Sequence, residues 1–197
     1  MKEIIIATHN DDKKSEMIYA LKNLKVKILS LDNFPEIGEI EESGSTLLEN
    51  SLIKSREVQR ITGIPAIADD TGLEVEFLNG APGVYSARYA GNNVSYKDNV
   101  RKLLFDLKGV EQKFRNAKFR TYISFCSSEN EFWVDGSIEG EITEKPLGEN
   151  GFGYDSVFLV KETGLTFGQM DKKDKDKISH RGLALKKMIS LLEQNIN

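Results

Sequence analysis

Two adjacent carboxylates, Asp69 and Asp70, follow the short apolar run Ala66-Ile67-Ala68 and precede Thr71-Gly72. Charges this close are costly to desolvate unless a cation or water meets them. A hard, oxygen-ligated Mg2+ suits them, and one carboxylate could then orient or deprotonate a water. A solvated, Asp-rich turn is the competing reading. Upstream, Thr8-His9-Asn10-Asp11-Asp12-Lys13 sits between the run Ile4-Ile5-Ile6-Ala7 and a helix start. Backbone N–H groups there, with a hydroxyl, an amide and a lysine, would make a phosphate cradle. An ordinary strand–turn–helix with a polar cap has the same composition.

Three further groups invite chemistry. Asn50, Lys54 and Glu57 recur at i, i+4 and i+7 beyond Glu41-Glu42, which by itself reads as the solvated face of a helix. Gly151-Phe152-Gly153-Tyr154-Asp155 sets two aromatics among glycines; Phe152 could stack on a base, or the segment could be a glycine-rich turn with apolar anchors. Ser179-His180-Arg181 precedes the last helix, with Ser179 as its expected N-cap and His180 and Arg181 as donors for a purine carbonyl. His9 and His180 are the two histidines and Cys126 the one cysteine. These counts exclude a histidine cluster, a cysteine-rich zinc site and an internal disulfide.

The elements that must position these groups alternate along the chain. A strand at Ile4 to Ala7 leads into a helix opened by Asp11 and Asp12, with Met17, Ile18, Leu21 and Leu24 at helical spacing. Val26 to Leu31 reads as a strand and Glu36 to Gly44 as a loop. Thr46 and Glu49 form a capping box for a helix that Gly63 ends. Ala66 to Ala68 and Leu73 to Phe77 read as two short strands, and Asn79 to Gly83 as irregular. Ser95 and Asp98 cap a third helix; Lys118 to Cys126 and Phe132 to Ile138 form a hairpin around Ser127 to Asn130. A strand at Ser156 to Val160 and a helix at Leu183 to Leu192 close the chain, while Asp171 to Lys177 is a short, charge-dense run. The pattern predicts an α/β fold: a mixed β-sheet flanked by helices, in a single domain over residues 1–197, with the long hairpin pointing to a second lobe.

With 197 residues, 39% hydrophobic and 29% charged, the chain has globular composition and enough length for a sizeable core. No apolar run approaches the roughly 20 residues that span a bilayer, and the N-terminus lacks a signal-peptide core, so a soluble cytoplasmic protein without membrane association is expected. A net charge of −4 argues against nucleic acid as partner. No G-x-x-x-x-G-K-[ST] or C-x-x-C occurs, which excludes P-loop nucleotidases and zinc deaminases.

Taken in order, the segments Ala7 to Lys13, Glu49-Asn50 with Lys54, Pro65 to Leu73, Gly80 to Tyr89, Gly151 to Asp155 and Ile178 to Leu185 resemble those of the inosine triphosphate pyrophosphatase family, also called Ham1-like. The resemblance covers nearly the whole chain. It implies an elongated fold with two lobes around a central nucleotide cleft, usually in a homodimer. It further implies hydrolysis of ITP, dITP and XTP to monophosphate and pyrophosphate, with Mg2+ as cofactor and Mn2+ as substitute. By motif position, Asp70 would be the catalytic carboxylate and, with Glu42, a metal ligand. Thr8, Asn10 and Lys13, aided by Lys54, would hold phosphates, and Thr71 would bind substrate. Phe152, Gly153, Tyr154 and Asp155 would form the base pocket, and Lys175, His180 and Arg181 would contact base or phosphate.

Overall fold

The computed structural model describes residues 2–195. Its strands form one eight-stranded mixed sheet in the order β2-β1-β3-β5-β6-β7-β8, with β4 paired to β3. These are β1 (Glu3–Ile6), β2 (Lys27–Ser30), β3 (Ala66–Val75), β4 (Pro82–Gly83), β5 (Asn116–Cys126), β6 (Glu131–Ile142), β7 (Phe158–Val160) and β8 (Leu165–Thr166). The helices are α1 (Asp11–Leu21), α2 (Leu47–Thr62), α3 (Tyr96–Asp106), α4 (Lys172–Ile178) and α5 (His180–Asn195). The chain divides into two compact units. One gathers the residues up to Asp70, Thr121–Gly136 and the chain from Arg181 onward; the other gathers Thr71–Arg120 and Ser137–His180. Among the described residues no helix is long and apolar enough to cross a membrane.

In the first unit, β1 runs parallel to β2 and to β3, with Ile5 opposite Ala66 and Ile6 opposite Ile67. Successive residues of a strand face opposite sides, and here each side has its own core. Ile4, Ile6 and Ile67 pack with Met17 and Leu21 of α1 and Ala184, Leu185 and Met188 of α5. Ile5, Ala66 and Ala68 pack with Val58 of α2. Thr46 accepts from the Glu49 N–H while Glu49 accepts from the Thr46 N–H, so the box that starts α2 is complete. Gly63 ends it at φ 70°, a left-handed turn that costs a glycine little.

The second unit has one core, in which Val100, Leu103 and Leu107 meet Phe119, Phe158 and Phe167. The box predicted for α3 forms between Ser95 and Asp98. At the other end of α3, buried Arg115 donates to the carbonyls of Leu107, Val110 and Thr143 at 2.7, 3.0 and 2.9 Å. A side chain from outside the helix thus ties its C-cap residue, Leu107, to Val110 and to Thr143 just after β6.

Several expected boundaries are corrected. Ala66–Ala68 and Leu73–Phe77 are not two strands: β3 runs unbroken through Asp69-Asp70-Thr71-Gly72, and Glu76 to Leu78 form a 3-10 turn. The charge-dense run is a helix, α4, capped by the Asp171 carboxylate on the Asp174 N–H. Ser179, which directly precedes α5, is also the C-cap of α4; its N–H returns to the Lys175 carbonyl at 2.8 Å.

Candidate functional site

Because β3 continues through the two aspartates, the pleat sends them to opposite faces of the strand. Asp69 takes the side of α1 and α5. Its Oδ2 lies 3.2 Å from Lys13 Nζ and accepts from Arg181 Nε at 3.1 Å. Arg181 Nη1 reaches Glu16 of α1. Asp69 is fully buried, and Arg181 and Glu16 nearly so. Burial pushes the Asp69 carboxyl up, but Lys13, Arg181 and Lys54 outweigh it and hold it well below the carboxylate range. Burial pulls the Arg181 guanidinium down, and the Asp69 and Glu16 charges more than reverse that.

Asp70 takes the side of α2. Asn50 Nδ2 donates to its Oδ2 at 3.3 Å, and Lys54 Nζ stands 3.8 Å from its Oδ1. Lys54 also donates to Glu42 Oε1 and to the Asp69 carbonyl, both at 2.6 Å. Its ammonium therefore marks a point on which Glu42 and Asp70 converge. Burial lowers the Lys54 pKa, yet Asp70, Glu42 and Asp69 turn the net shift upward. For Asp70 burial prevails over Lys54 and Lys13, and the carboxyl is raised. The solvated face expected for Asn50 and Lys54 is thus corrected: both are buried because their partners lie on β3 and on the loop before α2. Behind them the Ser51 and Thr121 hydroxyls donate to the carbonyls of Ala68 and Asp70, fixing the strand on either side of the pair.

Thr8 and Asn10 organise the start of α1. Asn10 is its N-cap, accepting from the Lys13 N–H at 3.0 Å, and the Asn10 N–H donates to Thr8 Oγ1 at 3.2 Å. The helix's positive end and the Lys13 ammonium are thereby held together. His9 turns away to the Gly38 carbonyl. Thr71 continues β3 as a half-buried residue of the second unit.

In the second unit Gly151 and Gly153 adopt φ of 74° and 62°, a path that folds the Phe152 N–H back onto Asp155 Oδ2 at 2.8 Å. The same Oδ2 accepts from Lys175 Nζ at 2.6 Å. Lys175 is buried, 4.7 Å above the Phe152 ring and 5.6 Å from that of Phe167. Tyr96 approaches Phe152 at 5.8 Å. Buried Tyr154 donates to the Ser86 carbonyl, and burial raises its hydroxyl pKa. His180 stacks on Phe119 at 4.5 Å. Lys177, in contrast, stays exposed and paired with Asp174.

The structure thus brings together Thr8, Asn10, Lys13, Glu42, Lys54, Asp70 and Arg181 in one unit, and Phe152, Gly153, Tyr154, Asp155 and Lys175 in the other. Glu16, Thr121 and Phe119 escaped the sequence reading. Glu16 follows Lys13 at i+3, which marks a helix face, but nothing local points to Arg181, 165 residues away.

A model of the Ham1 family matches residues 4–191. This chain belongs to the Ham1 family. It is 48% identical to the dITP/XTP pyrophosphatase of Bacillus licheniformis, over 98% of this chain and 100% of that one. It is 42% identical to the enzyme of the same name from Vibrio parahaemolyticus, over 98% and 97%. Among solved structures, a Ham1 protein from Coxiella burnetii superposes with a TM-score of 0.90 at 40% identity, covering 98% of this chain and 100% of that one. The Ham1 protein of Staphylococcus aureus gives 0.88 at 38% identity, covering 98% and 99%.

Proposed function

We propose that this Ham1 protein is a nucleoside triphosphate pyrophosphatase that hydrolyses ITP, dITP and XTP to the monophosphate and pyrophosphate. The observation that carries the reading is the convergence of Asp70 and Glu42 on the Lys54 ammonium, beside a helix start that presents Lys13. The names of the Bacillus and Vibrio relatives support it.

A triphosphate carries about four negative charges, so catalysis rests on cations and positioning. Lys13 and Lys54 are those cations, held by carboxylates from which phosphate oxygens can draw them. Glu42 and Asp70 give a hard-oxygen donor pair, and among the described residues no third His, Cys, Asp or Glu completes a metal cage. That suits Mg2+, which takes one or two carboxylates and fills its shell with water and phosphate oxygens; Mn2+ fits the same donors. When bound, the metal polarises the phosphoanhydride and shields the leaving pyrophosphate. Asp70, buried and raised in pKa, is suited to accept a proton from the attacking water. Thr8 and Asn10 keep the helix start in position, with Thr71 next along β3.

The base is assigned to the second unit's cluster. Phe152 offers a ring, Gly153 and Tyr154 shape the loop, and Asp155 fixes Lys175 so that a remaining N–H can meet a 6-keto oxygen. Adenine presents an amino group there, leaving two donors face to face, a mismatch that rejects ATP. Arg181 acts through Asp69, and His180 through its stack on Phe119. A homodimer in the cytoplasm completes the reading.

The test is incubation with ITP, XTP, GTP, ATP and dUTP plus Mg2+, with products separated by chromatography. IMP and pyrophosphate from ITP, ATP spared, and no turnover by Asp70→Asn are expected. Nucleotide binding without hydrolysis would make the protein a sensor and overturn the proposal.

A further inference from the structure

Asn50 does not touch solvent, and its amide spans two segments. A backbone N–H can only donate, so the Gly44 N–H at 2.8 Å fixes which side of the amide is Oδ1. Nδ2 must then face Asp70 Oδ2, at 3.3 Å. The loop is pressed close at this point. A Cβ at Gly44 would stand 2.6 Å from Asn50 Oδ1 and 2.7 Å from the Glu49 Cβ, so no larger residue fits without moving the amide. Gly44 lies two residues after Glu42, whose carboxylate meets Lys54 one helical turn beyond Asn50. Asn50 and Lys54 are therefore parallel crossbars from α2, each joining the Glu42 loop to Asp70. They differ in kind. The ammonium is the charge a phosphate would draw away, while the amide is neutral and bonded on both sides.

We infer that Asn50 is a positioning residue: it sets the carboxylate of Asp70 and the loop bearing Glu42 in fixed relation, so that the two can act on one cation. This inference rests on the proposed role of Asp70. It assigns the function to an amide that must donate on one side and accept on the other, which alanine, aspartate and a bulkier residue 44 each defeat differently.

The test compares Asn50→Ala, Asn50→Asp and Gly44→Ala with Thr46→Ala, which removes the cap of the same helix and touches neither carboxylate. Asn50→Ala is expected to lower kcat for ITP roughly 10–100-fold, as loss of a group that orients a ligating carboxylate does, with KM changed less than about threefold. The Mg2+ concentration for half-maximal rate should rise. Independently of turnover, the increase in Tm on adding Mg2+ alone should shrink, since metal held less firmly stabilises less. Gly44→Ala should reproduce these effects from the loop side. Thr46→Ala should lower Tm by about 2–4 °C with kcat and the Mg2+ response retained. If Asn50→Ala fails to fold, Asn50→Asp decides: it is isosteric and keeps the acceptor for Gly44, but sets a carboxylate against Asp70. Wild-type kcat and Mg2+ response in a folded residue-50 variant would overturn the inference, as would a Thr46→Ala protein with the same loss of kcat. Wild-type protein that leaves ITP intact would instead sink the proposed function.

Discussion

Asp69→Asn tests whether the face of β3 opposite Asp70 is held by charge. Lys13 and Arg181 are balanced there by Asp69 and Glu16, and the substitution leaves one positive charge in excess. Removing one partner of a buried pair costs about 3–5 kcal/mol, because the other charge remains desolvated. Three features place this site at the low end. The asparagine carbonyl still accepts from Arg181 Nε; Glu16 keeps the other arm of Arg181; and Lys13, at 16% side-chain exposure, can turn to water. A loss of about 3 kcal/mol follows, which in a chain of this length lowers Tm by roughly 6–12 °C. Urea unfolding and calorimetry at neutral pH, without divalent metal, measure it. Adding Arg181→Met removes the stranded charge, so the double variant should cost less than the two singles together by more than about 1 kcal/mol. A Tm within about 2 °C of wild type for Asp69→Asn, or strict additivity, would refute the reasoning.

Lys175→Met should weaken ITP binding roughly 10–100-fold, the worth of a charged hydrogen bond, and erode discrimination against ATP, while exposed Lys177→Met leaves both unchanged in steady-state kinetics. Gly151→Ala would put a Cβ 2.0 Å from Asp155 Oδ2, so it should raise KM for ITP at least tenfold by dislodging the Lys175 anchor. Gly153→Ala meets no atom within 4 Å and should cost only the left-handed backbone penalty, about 1–2 kcal/mol in urea unfolding. Arg115→Met leaves three carbonyls without their buried donor and should cost about 3 kcal/mol or more in the same experiment, with KM for ITP unchanged.

The elements that were legible in the sequence are those whose cause is local. A β-branched run such as Ile4 to Ile6, the reciprocal boxes at Thr46–Glu49 and Ser95–Asp98, and the stop at Gly63 each act within a few residues. The site residues were legible as types and order, since Asp70, Lys13, Lys54 and Phe152 stand in recognisable motifs. Their environments were not. Asn50 and Lys54 read as solvated because polar periodicity reports polarity and not what a side chain meets; the carboxylates they meet, Asp70 and Glu42, lie 20 and 12 residues away. The helix α4 was hidden for the opposite reason, being seven residues of alternating charge with almost no apolar stripe.

The stretch Asp69 to Gly72 shows what the missing information was. Two acids and a glycine have poor strand propensity, and in an isolated peptide a turn would separate the acids into water. In the fold, cations wait on both faces: Lys13 and Arg181 on one, Lys54 on the other. A strand, with its twofold alternation, can give each carboxylate a different set. That division gives the two neighbours opposite electrostatics. Asp69, bonded to a guanidinium and an ammonium, is locked into its charged form. Asp70, desolvated by burial that Lys54 does not offset and with Glu42 adding negative charge, is raised and left responsive to a cation or a proton. A turn would have exposed both alike to solvent, and nothing would then distinguish the structural carboxylate from the reactive one.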